Sequence, residues 1–547
     1  MFIRVKPSGP RRYLQVVENR REGRTTRQRV IATLGRLDAM QAAGNIDGLL
    51  RSLSRFADSC RIVEGHRAGR LRAGRVVRIG PALLFERLWR ETGVAEALAE
   101  ALDGRKFGFP VERAVFLTVL HRLFASGSDR AAEKWKEDYR IKGAEGLGLH
   151  QLYRAMAWLG EPLGEPSAFP LAPRCTKDRI EEALFARGRD LFTGLDLVFF
   201  DTTSIYFEGE GGETIGEYGH SKDHRPDLKQ MVVGAALDGS GRPIASELWP
   251  GNAADASALL PLADRLAERF GVTKVCLVAD RGMTSAATVE AIEARGWSYL
   301  LGARMRRVRE VRDEVLARAG RFREVVPKGA GSKAPSPLKV KEVRVGAARY
   351  VVCLNEAQAE KDRHDREMIL AALAEALKQG DKSLVGNKGY RRYLRAEGKR
   401  FTIDERKAQE EARYDGKWVL RTNISLDAAE VARKYKELWR VERAFRSMKS
   451  ALATRPISHQ CDETIRGHVF CSFLALLLMH ELDRRLSAAG GDLEWEDVKR
   501  DLEALAEVEV FEGSARYWLR TELRGTAGKA LSACGIGLPP TVRREGG

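Results

Sequence analysis

The sequence lacks the features that mark disulfide-rich, secreted and membrane-spanning proteins. Its seven cysteines are scattered, odd in number and never spaced as Cys-x-x-Cys, which argues against a disulfide scaffold or a structural zinc site and favours a reducing compartment. The most apolar run, Val469 to Met479, is shorter than the about 20 apolar residues that span a bilayer, so it predicts a buried helix. The N-terminus lacks the apolar segment of a signal peptide. We therefore expect a cytoplasmic protein.

The chain is long and basic, and its charge is unevenly distributed. It has 547 residues, with 93 Lys and Arg against 76 Asp and Glu, for a formal net charge of +17. Residues 1–80 contain 18 basic and 6 acidic residues, so +12 of this charge lies there, and 17 of the 18 are arginine. This asymmetry favours nucleic acid over an anionic membrane surface as the partner. The 44% hydrophobic content excludes a disordered polymer.

Apolar periodicity divides the first half of the chain into three regions. Residues 1–80 contain two alternating segments around a basic turn, which predicts a DNA-binding region with a hairpin. Residues 81–173 have helical spacing and end in a proline-rich linker. Residues 174–299 predict a helix, a strand, a hairpin, a helix, a strand and a helix. That order is typical of a mixed α/β core.

The second half interrupts this order and then resumes it. Residues 300–425 combine strands, a long polar helix and a loop at Lys328–Pro337 that we expect to be flexible, and they are interpreted as an inserted, largely β subdomain. Residues 426–489 predict the second part of the core, with one helix at Ala428–Lys449 and a buried helix after it. Residues 490–547 form a tail without a usable motif.

Two acidic residues occupy chemically suggestive positions. Asp201 is predicted to end one apolar strand and Asp280 to end another, so both carboxylates are expected at one edge of the sheet. Carboxylate oxygens are the ligands that Mg²⁺ prefers, and a two-metal site needs several of them. Glu442, on a helix with basic faces, is the third candidate. A strand-terminal Asp more often caps a turn, but two such strands followed by this Glu favour a metal site.

At these residues the chain resembles the DDE transposases of bacterial insertion sequences, in particular the group with a Tyr-Arg-Glu-Lys signature. The resemblance covers about residues 195–480 and rests on six stretches in order: Phe200-Asp-Thr-Thr-Ser, the segment from Tyr218 to Gln230, Pro250-Gly-Asn-Ala-Ala-Asp, Val278-Ala-Asp-Arg-Gly-Met, the segment from Tyr414 to Asn423, and the helix around Glu442.

The resemblance implies an α/β fold with an RNase H-like catalytic core, a largely β inserted subdomain and a basic α+β N-terminal DNA-binding region before them. It implies that Asp201, Asp280 and Glu442 are catalytic and hold two Mg²⁺ ions, for which Mn²⁺ can substitute. The implied activity is binding of terminal inverted repeats, followed by DNA strand cleavage and strand transfer. The implied partners are double-stranded DNA, at the transposon ends and the target, and a second copy of the chain in a synaptic complex. No membrane partner is expected.

The basic helix departs from the family signature at one position. In the pattern Y-x2-R-x3-E-x6-K, Tyr435, Glu442 and Lys449 are in register, but Leu438 replaces the arginine. Tyr435 and Lys449 each lie seven residues from Glu442, which places all three on one face of a continuous helix. Arg440 points away from that face and remains a DNA-contact candidate without the arginine's role. The alternative is a solvated amphipathic surface.

Further candidate DNA contacts lie outside this helix. Lys222, Arg225 and Lys229 are expected to contact phosphates beside the acids, although a solvated charged loop would have the same composition. Trp418 is a candidate for stacking on a flipped base, whereas an aromatic residue in a strand is more often part of the core.

Two other functions remain compatible with these motifs. An RNase H-like nuclease would hydrolyse DNA without strand transfer. An inactive, transposase-derived protein would only bind DNA, and the missing arginine at Leu438 fits that alternative better than the three acids do.

Overall fold

The structure is a computed structural model of the chain. It describes residues 1–545 except 23–24, 55–57, 165–171, 189–197, 254, 271–275, 284, 326–337, 379–391, 398–399 and 492. The loop predicted at Lys328–Pro337 and most of the proline-rich linker therefore lie outside the described residues.

The N-terminal region combines strands with short helices, and the next eighty residues are helical. The first elements are β1 (Phe2–Ser8), β2 (Arg11–Glu22), β3 (Thr25–Arg36), α1 (Leu37–Ala42), α2 (Asn45–Ser54), α3 (Asp58–Arg67) and β4 (Leu71–Arg78). The helices that follow are α4 (Gly80–Glu91), α5 (Val94–Ala101), α6 (Val111–Phe124), α7 (Asp129–Trp135) and α8 (Leu149–Leu159). Both the hairpin and the helical spacing predicted from the sequence are confirmed.

The central region alternates strands and helices as predicted. Its elements are α9 (Thr176–Gly188), β5 (Val198–Tyr206), β6 (Gln230–Leu237), β7 (Pro243–Pro250), α10 (Asp255–Phe270), β8 (Cys276–Ala279), α11 (Ala286–Ala294) and β9 (Ser298–Ala303). The boundary expected at residue 299 falls inside β9, because the strand continues into the next region.

Residues 304–425 contribute more strands and a long helix. Their elements are β10 (Arg323–Val325), β11 (Leu338–Val345), β12 (Ala348–Asn355), α12 (Glu356–Lys378), β13 (Leu394–Glu397), β14 (Arg400–Ile403), α13 (Glu405–Ala412) and β15 (Lys417–Thr422).

The helix predicted at Ala428–Lys449 is interrupted. The structure has α14 (Ala428–Lys436) and α15 (Trp439–Lys449), separated by a turn at residues 437–438. At the turn the backbone tightens to i→i+3 bonds, with the Leu438 amide 3.0 Å from the Tyr435 carbonyl oxygen. The prediction of one continuous helix was therefore wrong, because the apolar spacing does not show this change in hydrogen bonding.

The chain then continues through a long buried helix into a folded C-terminal segment. The elements are α16 (Asp462–Ala488), α17 (Trp495–Glu503), β16 (Ala506–Glu512), β17 (Ala515–Arg520), α18 (Ala527–Ala533) and β18 (Val542–Arg544). By length and composition α16 could cross a membrane, but 83% of its apolar window is buried inside the structure. It is therefore the buried core helix that its sequence predicted.

One nine-stranded sheet organises the larger part of the chain. Its strand order is β10-β11-β12-β15-β9-β8-β5-β6-β7. The middle strands β5, β8 and β9 are parallel, and the pairs on both sides of them are antiparallel. The strands of residues 304–425 thus extend the same sheet as the central strands.

The core of this sheet is apolar on the strands that carry the acids. Phe200, Leu277 and Tyr299 on β5, β8 and β9 are almost fully buried, and they pack with Leu259 of α10 and Ile292 of α11. The strands are buried on both faces, as expected for strands that read as continuous apolar runs. The acids therefore stand on a rigid support.

The chain divides into two compact units. The first comprises Met1–Pro81, Asp138–Arg140 and Leu493–Gly547, and the second comprises the remainder. Within the first unit β1, β2 and β3 form one sheet, and a second has the order β18-β17-β16-β4. Here β4 pairs antiparallel with β16, although the two strands lie more than 400 residues apart in the sequence. No sequence pattern in residues 490–547 indicated this pairing.

Candidate active site

Asp201 lies on β5, and Asp280 directly follows the neighbouring parallel strand β8. The register of β5 and β8 pairs Val198 with Leu277 and Phe199 with Val278. Continuing this register by two residues places Asp201 beside Asp280. The structure therefore brings the two acids to one place in the sheet, as their sequence positions predicted.

Asp201 does not end its strand, contrary to the sequence-based expectation. β5 continues to Tyr206, because Asp201 and the residues after it remain paired with β6, where Asp201 lies opposite Ala235. On the other side β8 ends at Ala279, immediately before Asp280. Asp201 therefore lies where β5 loses one of its two neighbours, and this exposes one side of the strand next to the carboxylate.

Tyr435 connects the aspartate pair to α14. Its hydroxyl donates a 3.0 Å hydrogen bond to Oδ1 of Asp280. Burial is the largest cause that raises the pKa of Tyr435, and the negative charges of Asp280 and Asp201 raise it further. The hydroxyl thus stays protonated and acts as a hydrogen-bond donor. The charges of both carboxylates contribute to its raised pKa.

A glycine on β9 makes room for this contact. A Cβ atom at Gly302 would lie 2.5 Å from the Tyr435 hydroxyl oxygen and 2.8 Å from the Arg281 amide nitrogen. Real Cβ atoms do not approach other atoms so closely, and the second of these atoms belongs to the backbone and cannot rotate away. Gly302 is therefore required for Tyr435 to reach Asp280.

Lys222 binds the residue that follows Asp201. Its ammonium group donates to the carbonyl oxygen of Thr202 at 2.7 Å and to the Thr202 hydroxyl at 2.9 Å. Its backbone amide donates to Ser204 Oγ at 2.7 Å. These bonds hold a positive charge next to β5, directly beside the aspartate.

Asp223 joins two further cations to the same loop. Lys449 Nζ lies 2.8 Å from Asp223 Oδ1, and Arg455 Nη1 lies 2.5 Å from Oδ2. Burial, with the nearby charges of Arg455 and Lys222, lowers the pKa of Lys449, and Asp223 opposes that change. Lys222, Asp223, Lys449 and Arg455 thus form a half-buried charge cluster, called the cation cluster below, next to the strand that carries Asp201.

Glu442 lies exposed in the first turn of α15, the helix that packs against β5. In the part of the chain that the structure describes, Glu442 has no hydrogen-bond or ion-pair partner. The basic residues on its helix bind elsewhere: Arg443 pairs with Asp483 at 2.9 Å, and Arg440 donates to the Gly239 carbonyl oxygen at 2.8 Å. The carboxylate of Glu442 is therefore free to take a ligand.

The turn at residues 437–438 divides Tyr435, Glu442 and Lys449 between two helices. Tyr435 belongs to α14, whereas Glu442 and Lys449 belong to α15. Leu438, which replaces the signature arginine, is buried with Val441 and Phe445. A shared face for Tyr435, Glu442 and Lys449 therefore remains a prediction that now involves two helices, and Leu438 contributes to packing.

Arg225, Lys229 and Arg440 are engaged by other groups. The Arg225 guanidinium binds Asp227 through Nε and Nη2, and Lys229 Nζ lies 2.6 Å from Glu210. Arg440 lies against Gly241 in the turn between β6 and β7. No contact between these three side chains and the aspartates occurs among the described residues, so their DNA contacts remain predictions.

Trp418 lies on β15, two strands from β8. It is paired opposite Cys353 of β12, its side chain is partly exposed, and Lys436 Nζ lies 6.0 Å from the ring centre. The ring is neither fully in the core nor fully in solvent. Its role in base stacking remains a prediction.

A second group of residues, which includes two histidines, has the spacing of metal ligands, but a buried arginine lies against it. The ligand atoms of Asp129, His459 and His468 all lie within 4.8 Å of one another. However, Nη2 of the buried Arg122 lies 2.8 Å from His468 Nδ1, and Nη1 lies 3.1 Å from Nε2. A guanidinium at both ring nitrogens repels a cation and occupies the positions that it would need. His468 is thus a hydrogen-bonded core histidine.

Three residues important to this geometry were not singled out from the sequence. Gly302 is important only because the side chain of Tyr435 packs against it. Asp223 is important because it binds both Lys449 and Arg455. These are contacts between segments distant in sequence, and no local spacing encodes them. Asp223 does lie inside the Tyr218–Gln230 stretch, directly after Lys222, so its position was the one available signal.

Two family models match the chain. Residues 193–478 match the transposase DDE domain, and residues 3–69 match the N-terminal domain of IS1634 family transposases. The first match covers more than half of the chain and includes both aspartates, Tyr435 and Glu442. The chain therefore belongs to the DDE transposases, the DNA-binding recombination enzymes of insertion sequences. This confirms the resemblance read from its motifs, whereas the Tyr-Arg-Glu-Lys signature remains a prediction.

Comparison with solved structures gives a more distant match. The chain is similar to the Mos1 transposase paired-end complex with left transposon end, with 16% sequence identity and a TM-score of 0.15, over 36% of this chain and 61% of that chain. No curated protein sequence matches the chain significantly.

Proposed function

We propose that the chain binds the terminal inverted repeats of an insertion sequence and catalyses metal-dependent cleavage and transfer of its DNA strands. The observation that supports this most directly is the parallel pairing of β5 and β8, whose register, continued by two residues, sets Asp201 beside Asp280. Glu442 is the third acid of the proposed site, and it comes from the helix packed on β5.

The donor set fits hard divalent cations. It consists of carboxylates only, and Mg²⁺ and Mn²⁺ prefer oxygen ligands. Tyr435 bonds to Oδ1 of Asp280 and leaves Oδ2 for other ligands, while Glu442 is unpaired among the described residues. We propose that these acids would hold two ions, which when bound activate the attacking hydroxyl and stabilise the leaving oxygen.

The protein's own groups would position the DNA. Lys222 places positive charge at Thr202, the residue after Asp201, and Lys449 is held to the same loop by Asp223. We propose that these charges would attract the phosphodiester that is cut. In cleavage, the oxygen of a water would bond to the phosphorus and the bond from phosphorus to the 3′-oxygen would break, which leaves a 3′-hydroxyl at the element's end and a 5′-phosphate on the flanking DNA. Transfer would then join that hydroxyl to a phosphorus of the target and break the target strand. No covalent bond to the protein is needed.

We further propose that β7-β6-β5-β8-β9, with the helices against them, form an RNase H-like core and that residues 300–425 are its inserted, largely β subdomain. Residues 1–80, which carry +12 of the net charge, would bind the ends. Two ends must be held together during transfer, so a homodimer is the expected active form. Because arginines dominate the charge, end binding should weaken steeply with salt.

The acids can be tested by neutral, equally sized substitutions. Asp201→Asn, Asp280→Asn and Glu442→Gln should each abolish cleavage of end-containing DNA with Mg²⁺ while binding the same DNA as tightly as the unaltered protein. Asp264→Asn, which removes an exposed acid paired with Arg295 on the same unit, is the matched control and should cleave normally. Retained cleavage by any of the three variants would refute the assignment.

A nuclease without strand transfer is the main alternative. An assay with pre-cleaved end DNA and a target plasmid separates the two functions, because only a transposase makes a joined product. Cleavage without joining would favour the nuclease, and end binding without either would favour an inactive DNA-binding protein.

A further inference from the structure

The sheet β1-β2-β3 presents two chemically different faces. Antiparallel register sets Arg4 opposite Gln15, and Gln15 opposite Thr33, so these three side chains lie on one face. On the other face Leu14 lies opposite Gly35, where Met40 of α1 packs. Helix packing therefore covers part of one face. On the face of Arg4, Gln28 and Thr33 are exposed, Arg4 and Gln15 are half-buried, and Val17 is fully buried.

The face of Arg4 carries a hydrogen-bonded row of long polar side chains. Arg4 Nη1 donates to Gln28 Oε1 at 2.8 Å, and its Nε and Nη2 donate to Gln15 Oε1 at 3.3 and 3.2 Å. Gln15 Nε2 in turn lies 3.1 Å from Thr33 Oγ1. The row spans all three strands, and the side chains hold one another in defined orientations.

The charge on this row is not neutralised. Arg4 bonds only to amide oxygens, and among the described residues it has no carboxylate partner. Arg36 on the same face differs, because it binds Asp38 through Nε and Nη2. The positive charge of Arg4 is thus available to an external partner, while that of Arg36 is already paired.

We propose that this face, with Arg4, Gln15, Gln28 and Thr33, reads base edges in the major groove of the element's end DNA. Arg pairs with guanine O6 and N7, Gln pairs with adenine N6 and N7, and Thr contacts either base. Base readers of this type work best when their orientation is fixed before binding, and the hydrogen-bonded row provides that. Surfaces that only contact phosphate need no such arrangement.

The dimensions of the face also suit a groove. The outer strands of a three-stranded sheet are about 10 Å apart, and the major groove is about 12 Å wide. Tyr13 to Asn19, on the same face of β2, spans about 20 Å, which corresponds to about six base pairs. The exposed Arg11, at the start of β2 and on the same face, is placed to contact a flanking phosphate.

This inference rests on the proposed function, since it assigns sequence reading to a protein that binds its element's ends. The test uses the full chain and two probes at about 0.15 M salt: a duplex of about 40 base pairs with the terminal repeat that flanks the gene, and a shuffled duplex of the same composition. The measured quantity is the ratio of the Kd for the shuffled duplex to the Kd for the end duplex.

Arg4→Lys, Gln15→Ala and Gln28→Ala should each reduce this ratio about 10-fold, while the Kd for the shuffled duplex changes less than about 2-fold. Arg4→Lys keeps the positive charge and removes the planar guanidinium group that can donate two hydrogen bonds to one base. It therefore separates base reading from electrostatic attraction. Arg36→Lys is the matched control on the same face, and it should leave the ratio unchanged. Circular dichroism establishes that each variant is folded.

A triple variant, R4K with Q15A and Q28A, that keeps the ratio of the unaltered protein would overturn the inference, as would equal loss of affinity for both duplexes. If the unaltered protein joins end DNA while the variants keep their preference, only the reading face is refuted. If the unaltered protein neither binds the end duplex more tightly than the shuffled duplex nor joins end DNA to a target, the proposed function and the inference fail together.

Discussion

The hydroxyl of Tyr435 holds Oδ1 of Asp280 through a 3.0 Å hydrogen bond, and it does so across a glycine on the neighbouring strand. The bond fixes the orientation of one carboxylate of a pair whose backbone positions the sheet register has already set. Tyr435 is therefore a positioning residue that acts through Asp280.

Tyr435→Phe removes that hydrogen bond and keeps the ring. A hydrogen bond to a charged group contributes about 1.5–3 kcal/mol, so single-turnover cleavage should fall about 10-fold or more. The Mg²⁺ concentration needed for half-maximal cleavage should rise as well, because Asp280 is no longer held. Tyr350→Phe on β12 is the control, since it also removes a tyrosine hydroxyl that donates to a carboxylate, in this case that of Glu310 at 3.0 Å. Equal cleavage by the two variants would contradict the positioning role.

Gly302→Ala should impair cleavage by another route. The added methyl group would collide with the Tyr435 hydroxyl and the Arg281 amide, so Tyr435 must move away from Asp280. We expect a loss at least as large as for Tyr435→Phe, and a combined loss smaller than the sum of the two single losses. Gly320→Ala is the control, because its Cβ would meet only the flexible Lys341 chain at 3.6 Å. Additive losses in the double variant would show that Gly302 acts independently of Tyr435.

Asp223→Asn should loosen the cation cluster. Lys449 and Arg455 would lose their shared carboxylate while their side chains remain 13% and 27% exposed. Leaving such groups unpaired costs about 1–3 kcal/mol, measured as a change in the free energy of unfolding in urea. Asp227→Asn removes an acid from the same loop, but its partner Arg225 is 45% exposed, so its effect should be small. Equal stability of the two variants would argue against a structural role for the cluster.

Histidine burial makes stability depend on pH. Burial and the charge of Arg122 lower the pKa of His121 from 6.5 to about 4. Between these values the unfolded chain binds a proton that the folded chain does not, so stability falls as the pH decreases from 6.5 towards 4. One such histidine contributes a slope of up to about 1.4 kcal/mol per pH unit.

His121→Phe keeps the edge-on contact with Trp135 and removes the titrating group. The decrease in unfolding free energy between pH 6.5 and pH 4.5, measured by denaturant titration, should therefore be smaller in this variant. Trp135→Phe changes the same packing without removing a titratable group and should keep the original slope. If His121→Phe also keeps it, His121 does not cause the pH dependence.

The sequence predicted local elements well, since apolar spacing is a local property. The helical spacing of residues 81–173 corresponds to α4 to α8, and the order of elements predicted for residues 174–299 corresponds to α9 to α11. The aspartate pair was also predictable, because parallel strands bring equivalent positions together. The break at residues 437–438 was not, since a change from i→i+4 to i→i+3 bonding leaves the apolar stripe of Leu438, Val441 and Phe445 intact.

Contacts between distant segments were also beyond the sequence. The bond from Tyr435 to Asp280 could not be predicted from a helical face, because it joins residues that lie 155 positions apart in the sequence. The role of Gly302 depends on that bond, so it was equally hidden. The cation cluster joins a loop at Asp223 to the end of α15 at Lys449, and charge patterns along the chain do not show which cations share an acid.

The pairing of β4 with β16 has a consequence for the way the protein is made. A ribosome completes β4 more than 400 residues before it completes β16, so the growing chain carries an unpaired strand edge for most of its synthesis. The sheet that joins these strands can close only after β16 to β18 have left the ribosome. The catalytic region can thus fold first, and a product that stops early would lack a complete first unit. Formation of the arginine-rich unit is therefore coupled to near-complete translation.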